Sequence, residues 1–264
     1  MRSTSRKGVA LVLVLWIVVI LGAVAAGVAA ETHDASSIAR NARARLISRY
    51  AAESGIEATA AMIEDSLGLA ADSAERSAFL NSLEQSTSGD TVVLEDARFS
   101  VAVVDASARL DLNAATEESL ARFFSRFTDL GSAAMAARGI RSWIERDGGG
   151  QTDRKIMLDS GGAYRTVRPL TSIEELRTLG LISESVLLQA APFLTVDGDG
   201  TINQVTASPL VRSVAGGELR NEPSRLVLIA RGWQAGHQLT HEVQAVYSIT
   251  GTRLVLAHWR ERPL

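Results

Sequence analysis

An uninterrupted apolar run near the N-terminus constrains this chain more than any other feature. Residues 9–30 read VALVLVLWIVVILGAVAAGVAA and carry no charged side chain. A helix needs roughly 20 apolar residues to span a bilayer, so the run is long enough to be a transmembrane helix. Arg2, Arg6 and Lys7 precede it, and the first charge after it is Glu31. The positive-inside rule therefore predicts a cytoplasmic N-terminus and translocation of everything after Glu31.

Three interpretations of this run compete. A secretory signal peptide has an apolar region of about 7–15 residues, and this run is longer. A plain single-pass anchor fits the length. In the third interpretation, a protease cuts after Gly8 on the cytoplasmic side and leaves the run at the new N-terminus. The dipeptide Lys7-Gly8 directly before the run resembles the class III leader of type IV pilins and pseudopilins. The N-terminus alone leaves the anchor and the pilin leader open.

Composition narrows the classes of function. The chain has 264 residues, a formal net charge of −3 and no cysteine. This length allows one or two domains beyond the run. The charge gives no overall attraction to nucleic acid, and the missing cysteines exclude a disulfide framework and thiol chemistry. Serine-hydrolase, zinc-protease and nucleotide-binding motifs are absent from the sequence, so we expect no enzymatic activity.

The helical pattern continues beyond the apolar run. Residues 31–67 contain no proline, and Gly55 is their only glycine. Arginines and glutamates occupy the opposite side of this segment. The spacing predicts one helix over 9–67, with 9–30 in the membrane and an amphipathic second half that lays one stripe on a globular domain. The apolar stripe comprises Ile38, Ala42, Leu46, Tyr50, Ile56, Ala60, Ile63 and Leu67.

Strands flank a block of short helices in the rest of the chain. The stretch Thr91–Asp105 predicts one strand, because within it the side chains of one face alternate with those of the other. The first set is Ala97, Phe99, Val101 and Val103, and the second is Arg98, Ser100, Ala102 and Val104. Three further strands separated by glycine-containing turns follow near the C-terminus, at 226–233, 239–249 and 253–260. We therefore predict an α+β fold in which the strands on either side of the block pair. The predicted segments are a leader (1–8), the helix (9–67), an α+β domain (68–109 and 223–264) and an inserted α-helical domain (110–222).

Candidate helix caps lie inside the predicted insertion. Asn113 or Thr116 can cap its first helix, and Ser183 can cap a later one. Two overlapping capping boxes pair Thr171 with Glu174 and Ser172 with Glu175. A weak internal repeat is also present, because residues 110–115 recur loosely as 202–207, with Val205 in place of the asparagine.

The order of several segments along the whole chain is distinctive. The leader and the start of the apolar run are followed by LDLNAATEESLARFF, WIERD, PLTSIEELRTLGLI, INQVTA and the closing strands. Together they resemble the protein K family of the type II secretion system. The members of this family are large minor pseudopilins. The resemblance implies a long N-terminal helix packed on an antiparallel sheet, with a large all-α insertion of the SAM-like or helix-hairpin-helix-like type.

The resemblance also implies a role. A member of this family sits at the tip of the periplasmic pseudopilus and helps initiate its assembly for protein export across the outer membrane. Its anchor crosses the bacterial inner membrane once, and its C-terminal domain is periplasmic. The implied partners are the I- and J-type minor pseudopilins, the major pseudopilin and the prepilin peptidase, with no nucleic acid. The peptidase would cut between Gly8 and Val9 and methylate Val9.

The resemblance makes Leu13 a candidate assembly residue. It is the fifth residue counted from Val9, where major pilins and most pseudopilins carry a glutamate that neutralises the N-terminal amine of the adjacent subunit. A subunit with no neighbour ahead of it needs no such carboxylate, so Leu13 agrees with a tip position. The alternative is that Leu13 is one more lipid-facing residue of a plain anchor. Ile38, Leu46 and Tyr50, in the amphipathic stretch 38–67, are the candidate contacts with other minor pseudopilins.

Calcium is the one cofactor that the resemblance suggests, because the helical domain of the family binds it. Calcium takes six to eight oxygen ligands, often from loops. Glu145 and Asp147 end a predicted helix beside a glycine-rich loop and are the candidate ligands, although the sequence favours an exposed polar helix end over a calcium site. Asp197 and Asp199 read as a turn, since the later ligands of a calcium loop are missing.

A membrane-anchored extracytoplasmic helix-hairpin-helix protein that binds DNA is the alternative function. Such hairpins use a glycine-x-glycine turn whose backbone N–H groups reach phosphate. The two candidate turns, at Leu130–Ala133 and Leu179–Ile182, have one glycine each. With a negative net charge and two lysines in the whole chain, the sequence favours the pseudopilin interpretation.

Overall fold

A single long helix dominates the molecule. The computed structural model describes the backbone of residues 5–86, 90–145, 155–158 and 164–263, and the side chains of 12–28, 31–32, 36–86, 90–145 and 168–262. Helix α1 runs from Ser5 to Leu69 without a break, which agrees with the absence of proline from this part of the chain. The predicted helix over 9–67 lies within it. In the described residues, no helical window is both long and apolar enough to qualify as a membrane span.

A five-stranded antiparallel sheet packs against the C-terminal half of α1. Its strand order is β1-β2-β9-β10-β11. The predicted strand over Thr91–Asp105 is wrong as a single element, because Glu95 adopts a left-handed conformation (φ 49°) and the chain turns back there. The strands are β1 (Thr91–Leu94), β2 (Ala97–Asp105), β9 (Arg225–Gln234), β10 (Thr240–Thr250) and β11 (Arg253–Pro263).

The sheet joins two parts of the chain that are far apart in sequence. β2 pairs with β9, with Val103 opposite Leu228 and Val101 opposite Ala230. The strands on either side of the helical block therefore pair, as the sequence predicts. Because β2 and β9 pair, the chain between them leaves the sheet after Asp105 and returns to it at Arg225. We call this part of the chain the excursion.

The first core lies between α1, the sheet and helix α2 (Ser73–Ser86). Ile56, Ile63 and Leu67 of α1 are almost completely buried, as are Leu80 and Leu83 of α2. They meet Val103, Leu228 and Val243 from the sheet. Burying each such side chain contributes roughly 1.5–3 kcal/mol, so this contact holds the C-terminal half of α1 on the sheet.

A second core forms among the helices of the excursion. Leu120, Phe123 and Phe124 are fully buried, and the two phenylalanine rings meet edge to face at 5.2 Å. Ile140 and Leu176 complete the centre of this cluster. Its helices are α3 (Glu117–Phe124), α4 (Leu130–Glu145), α5 (Glu175–Leu179), α6 (Glu184–Ala190) and α7 (Pro209–Val214).

Six short strands connect these helices. β3 pairs in parallel with β6, β7 pairs in parallel with β8, and β4 forms an antiparallel hairpin with β5. Their bounds are β3 (Leu110–Asp111), β4 (Lys155–Leu158), β5 (Tyr164–Val167), β6 (Leu194–Thr195), β7 (Ile202–Asn203) and β8 (Leu219–Arg220).

The weak internal repeat has a structural basis. The side chain of Asp111 accepts a hydrogen bond from the Asn113 N–H, and Asn203 accepts one in the same way from Val205. In both copies a hydroxyl residue three positions after this N–H donor then caps a helix: Thr116 caps α3 and Ser208 caps α7. The repeat is therefore a strand, a turn closed by an acidic or amide side chain, and a capped helix.

Of the two candidate caps of α3, Thr116 is confirmed and Asn113 is wrong, and both predicted capping boxes are wrong. Asn113 does not cap α3, because its amide bridges the chain to Leu170, from whose N–H it accepts at 2.8 Å. Neither capping box forms, since α5 begins at Glu175 and Glu174 precedes it without a side-chain cap. Ser183 does cap α6 by accepting from the Val186 N–H.

Candidate assembly interface

Helix α1 approaches the sheet closely where small residues meet. A Cβ atom added at Gly232 of β9 would lie 2.2 Å from the Ser48 carbonyl oxygen and 2.4 Å from the Ala52 nitrogen. The Ser48 hydroxyl also bridges the helix to the carbonyl of Leu239 at 3.1 Å. On the helix side, Gly55 faces the ring of Phe99, which a Cβ atom would meet at 2.8 Å. These contacts fix which side of α1 faces the sheet.

The predicted apolar stripe of α1 divides into two faces. Ile56, Ile63 and Leu67 are buried against the sheet, whereas Ile38, Leu46 and Tyr50 remain 68 %, 55 % and 62 % exposed. The stripe is wrong as a single surface, because Ala44, Ser48, Ala51 and Ala52 supply the buried side in the earlier turns. Large apolar side chains are thus left on the open side of α1, in the part nearer the apolar run. We call Ile38, Leu46 and Tyr50 the α1 face.

Next to the α1 face, an ion-pair network holds α1 against strand β11. Arg49 pairs with Glu53 at 2.7 Å and with Glu261 of β11 at 3.1 Å. His241 reaches the same carboxylate at 3.3 Å. A hydrogen bond from the Trp259 indole N–H, together with the positive charge of Arg49, holds the pKa of Glu261 below its usual range. The network links α1 to the edge strand of the sheet.

The N-terminal candidate residues lie on the same helix. Gly8 and Val9 are within the backbone span of α1, and their side chains lie outside the described residues. Leu13 is 58 % exposed, like its apolar neighbours. The α1 face and the apolar run therefore belong to one continuous element.

The two candidate calcium ligands do not form a described site. Glu145 is paired with Arg141 at 2.7 Å, and Arg141 also donates to the carbonyls of Asn113 and Ala115. Asp147 lies outside the described residues. Within the described ranges, no three histidine, cysteine or acidic side chains gather closely enough to hold a metal.

The other acidic pair has structural partners. Asp197 forms an ion pair with Arg260 of β11. Asp199 accepts hydrogen bonds from the N–H and hydroxyl of Thr201 and from the Ser224 hydroxyl. Burial opposes ionisation of Asp199, but these donors hold its pKa below the ordinary value. Both aspartates thus stabilise the junction between the helices and the sheet, as expected for a turn.

The two candidate phosphate-binding turns differ. Leu130–Ala133 is not a turn, since it forms the first turn of α4, where Asp129 accepts from the Ser132 N–H at 3.0 Å. Gly180 does end α5 in a left-handed conformation (φ 64°). A single glycine turn of this kind is the usual end of a helix.

Comparison with known proteins tests the fold. No family model matches the sequence, and no curated protein matches it. A solved structure does match: the GspK-GspI-GspJ complex of the type 2 secretion system from enterotoxigenic Escherichia coli. The match has a TM-score of 0.50 and 17 % sequence identity, and it covers 83 % of this chain and 99 % of that chain. The chain has the fold of a component of this complex. The resemblance found in the sequence is thus confirmed at the level of the fold, and so is the predicted α+β class with its antiparallel sheet.

Proposed function

We propose that this chain is a minor pseudopilin that caps the tip of the type II secretion pseudopilus and helps initiate its assembly. The observation that carries the proposal is the α1 face, which is exposed on a helix that is continuous with the apolar run. The structural match supports the proposal, because it is to a complex named for three type II secretion components. In this role the chain acts by assembly and performs no catalysis.

The α1 face is suited to binding other helices. Ile38, Leu46 and Tyr50 of α1 are each more than half exposed. Covering each of them would contribute roughly 1.5–3 kcal/mol, which is enough for three side chains to decide an association. We propose that I- and J-type minor pseudopilins cover this face, and that the major pseudopilin forms the part of the pseudopilus between them and the membrane.

Processing and location complete the proposal. The basic leader and the apolar run support an N-terminus in the cytoplasm, a single pass through the bacterial inner membrane and a periplasmic C-terminal domain. A prepilin peptidase would cut between Gly8 and Val9 and methylate the new N-terminus. Leu13 supports the tip position, because the amine of a subunit stacked ahead would meet no carboxylate there, and an unpaired charge in an apolar bundle is costly.

Charge placed on the α1 face tests the association. We expect the double variant Leu46→Glu/Tyr50→Glu to lose at least 90 % of its co-purification with I- and J-type minor pseudopilins, since both partners would have to bury carboxylates. Leu188→Glu is the matched control, because Leu188 of α6 is 64 % exposed and lies away from α1. Undiminished association of the double variant, with both proteins folded, would overturn the proposed interface.

A further inference from the structure

A polar groove lies between α1 and the end of the sheet nearer the apolar run. It encloses about 280 Å³ between the helix and two turns of the sheet. Arg40 and Arg43 of α1 form one wall, and Asp96, Gln234 and residues 235–237 form the other. One bound water needs roughly 10–15 Å³, so the groove has room for a phosphate group and several waters.

The two arginines of this groove are not neutralised by the protein. Both are exposed, and neither forms an ion pair or a side-chain hydrogen bond with any described residue. By contrast, Arg49 of the same helix, nine residues after Arg40, forms ion pairs with Glu53 and Glu261. Asp96 is the acidic residue of the lining and stays beyond ion-pair distance of both arginines. The groove thus presents two guanidinium groups against one carboxylate.

The opposite wall adds hydrogen-bond donors. Nδ1 of His237 accepts a hydrogen bond from the Leu239 N–H at 3.3 Å. In the neutral imidazole this leaves the proton on Nε2, which can donate to an anion. The amide of Gln234 supplies a further donor. Guanidinium groups bind phosphate through paired N–H donors, which lysine cannot do.

The position of the groove indicates where such an anion would come from. Arg40 lies about 15 Å beyond Ala30 along α1, at 1.5 Å per residue. The polar headgroup layer extends several ångströms beyond the hydrocarbon, and an extended arginine side chain shortens the remaining distance. Charges interact over roughly 8–10 Å at physiological salt. If the apolar run is inserted as proposed, the groove lies at the end of the sheet nearest the phospholipid headgroups of the outer leaflet of that membrane.

We propose that Arg40, Arg43 and His237 form a binding site for a phosphate-bearing anion at the membrane-facing end of the sheet. The site would hold a phospholipid headgroup and set the depth and rotation of α1 relative to the bilayer. Its lipid-binding role depends on the proposed membrane anchoring, whereas its affinity for phosphate does not.

Native mass spectrometry of the full chain in a neutral detergent tests the site. Dissociation constants are measured for phosphatidylglycerol, phosphatidylcholine and inorganic phosphate. We expect Arg40→Gln/Arg43→Gln to bind phosphatidylglycerol about thirtyfold more weakly than the wild type, because two cations near an anionic headgroup are lost. Arg122→Gln/Arg126→Gln removes the same charge from two exposed arginines, one in the last turn of α3 and one just beyond it, and should leave the affinity unchanged.

The three ligands distinguish the sources. Preference for phosphatidylglycerol over inorganic phosphate identifies a headgroup site, and the reverse preference identifies a site for free phosphate. Equal affinities of the two double variants for both anions would overturn the proposal. Extraction of the wild-type chain from membranes by alkaline carbonate would count against the anchoring. The dissociation constant for inorganic phosphate would still test whether the groove binds an anion.

Discussion

At the scale of single residues, Gly232 sets the distance between α1 and the sheet. A Cβ atom there would lie 2.2 Å from a carbonyl oxygen of the helix backbone, which cannot rotate away. We expect Gly232→Ala to lower the free energy of unfolding by about 1–3 kcal/mol, because helix and sheet must separate. Gly68→Ala, near the end of α1, is the control. A Cβ atom added at Gly68 would have no atom of a neighbouring element within 4 Å, so alanine should be neutral or slightly stabilising. Urea unfolding of both full-length variants checks this, and equal stabilities would refute the role of Gly232.

Residue-level prediction from the sequence succeeded where the chemistry is local. Ser183 caps α6 because its side chain needs only the N–H group three residues ahead. Asn113 has the same local option, yet it binds the backbone of Leu170 from a distant part of the chain. Gly232 gives no local sign of its role either, since the atoms that require it belong to Ser48 and Ala52. Long-range partners therefore decided the cases that the sequence did not predict.

At the scale of elements, a charged triad ties three strands together. Glu242 of β10 is 2 % exposed and pairs with Arg231 of β9 at 2.8 Å and with Arg262 of β11 at 3.1 Å. Burial opposes its ionisation, but the hydrogen bond from Arg231, with further support from Gln244 and Arg262, holds the pKa of Glu242 below its usual range. The carboxylate is thus favoured in the folded state.

The lowered pKa of Glu242 predicts a dependence of stability on pH. The stabilisation is complete above the unfolded pKa of about 4.3 and is lost as the pH falls through the lower folded value. We expect the wild type to lose more unfolding free energy between about pH 6 and pH 3 than Glu242→Gln, in urea titrations at each pH. Glu118→Gln, at an 80 % exposed side chain, should follow the wild type. Parallel curves for the wild type and Glu242→Gln would contradict the prediction.

Helix α1 illustrates what periodicity can and cannot predict for an element. Its length follows from the lack of proline and the helical spacing, and both are visible in the sequence. The division of its apolar residues between core and surface is not visible, because Ile38 and Ile56 are the same residue type at compatible spacing. Small residues, from Ala44 to Gly55, face the sheet instead. Their small volume allows the close approach that leaves Leu46 and Tyr50 outside.

At the scale of the whole molecule, the chain order predicted the α+β class and the pairing of β2 with β9. Alternation identified those strands, and their position around the helical block implied that they meet. The junction between the sheet and the helices could not be predicted. It uses Asp105, whose carboxylate accepts from Ser107, Asn203 and Thr206. Burial raises the pKa of Asp105 despite these donors, and nothing in the sequence brings Asn203 to it.

Processing of the N-terminus concerns the molecule before assembly. We expect mass spectrometry to find Val9 as the mature N-terminus when the full chain is expressed with a prepilin peptidase. Gly8→Leu should keep the leader, since a bulky residue before the cut blocks the peptidase. Gly22→Ala is the matched control, because this glycine lies inside the apolar run with open space around it. A processed Gly8→Leu variant, or a mature N-terminus at Glu31, would contradict the pseudopilin interpretation.

The proposed tip position predicts the number of copies per pseudopilus. The second core adds a helical unit beside the sheet, and such a unit would obstruct a further subunit stacked above it. Leu13 offers no carboxylate to the amine of that subunit, which would stay buried and unpaired. We therefore expect one copy per pseudopilus, at its end, visible by labelling the helical unit and imaging sheared filaments. Purified alone, the full chain should form no filaments under conditions in which the major pseudopilin does. Labels along the length of a pseudopilus, or filaments of this chain alone, would place it in the shaft.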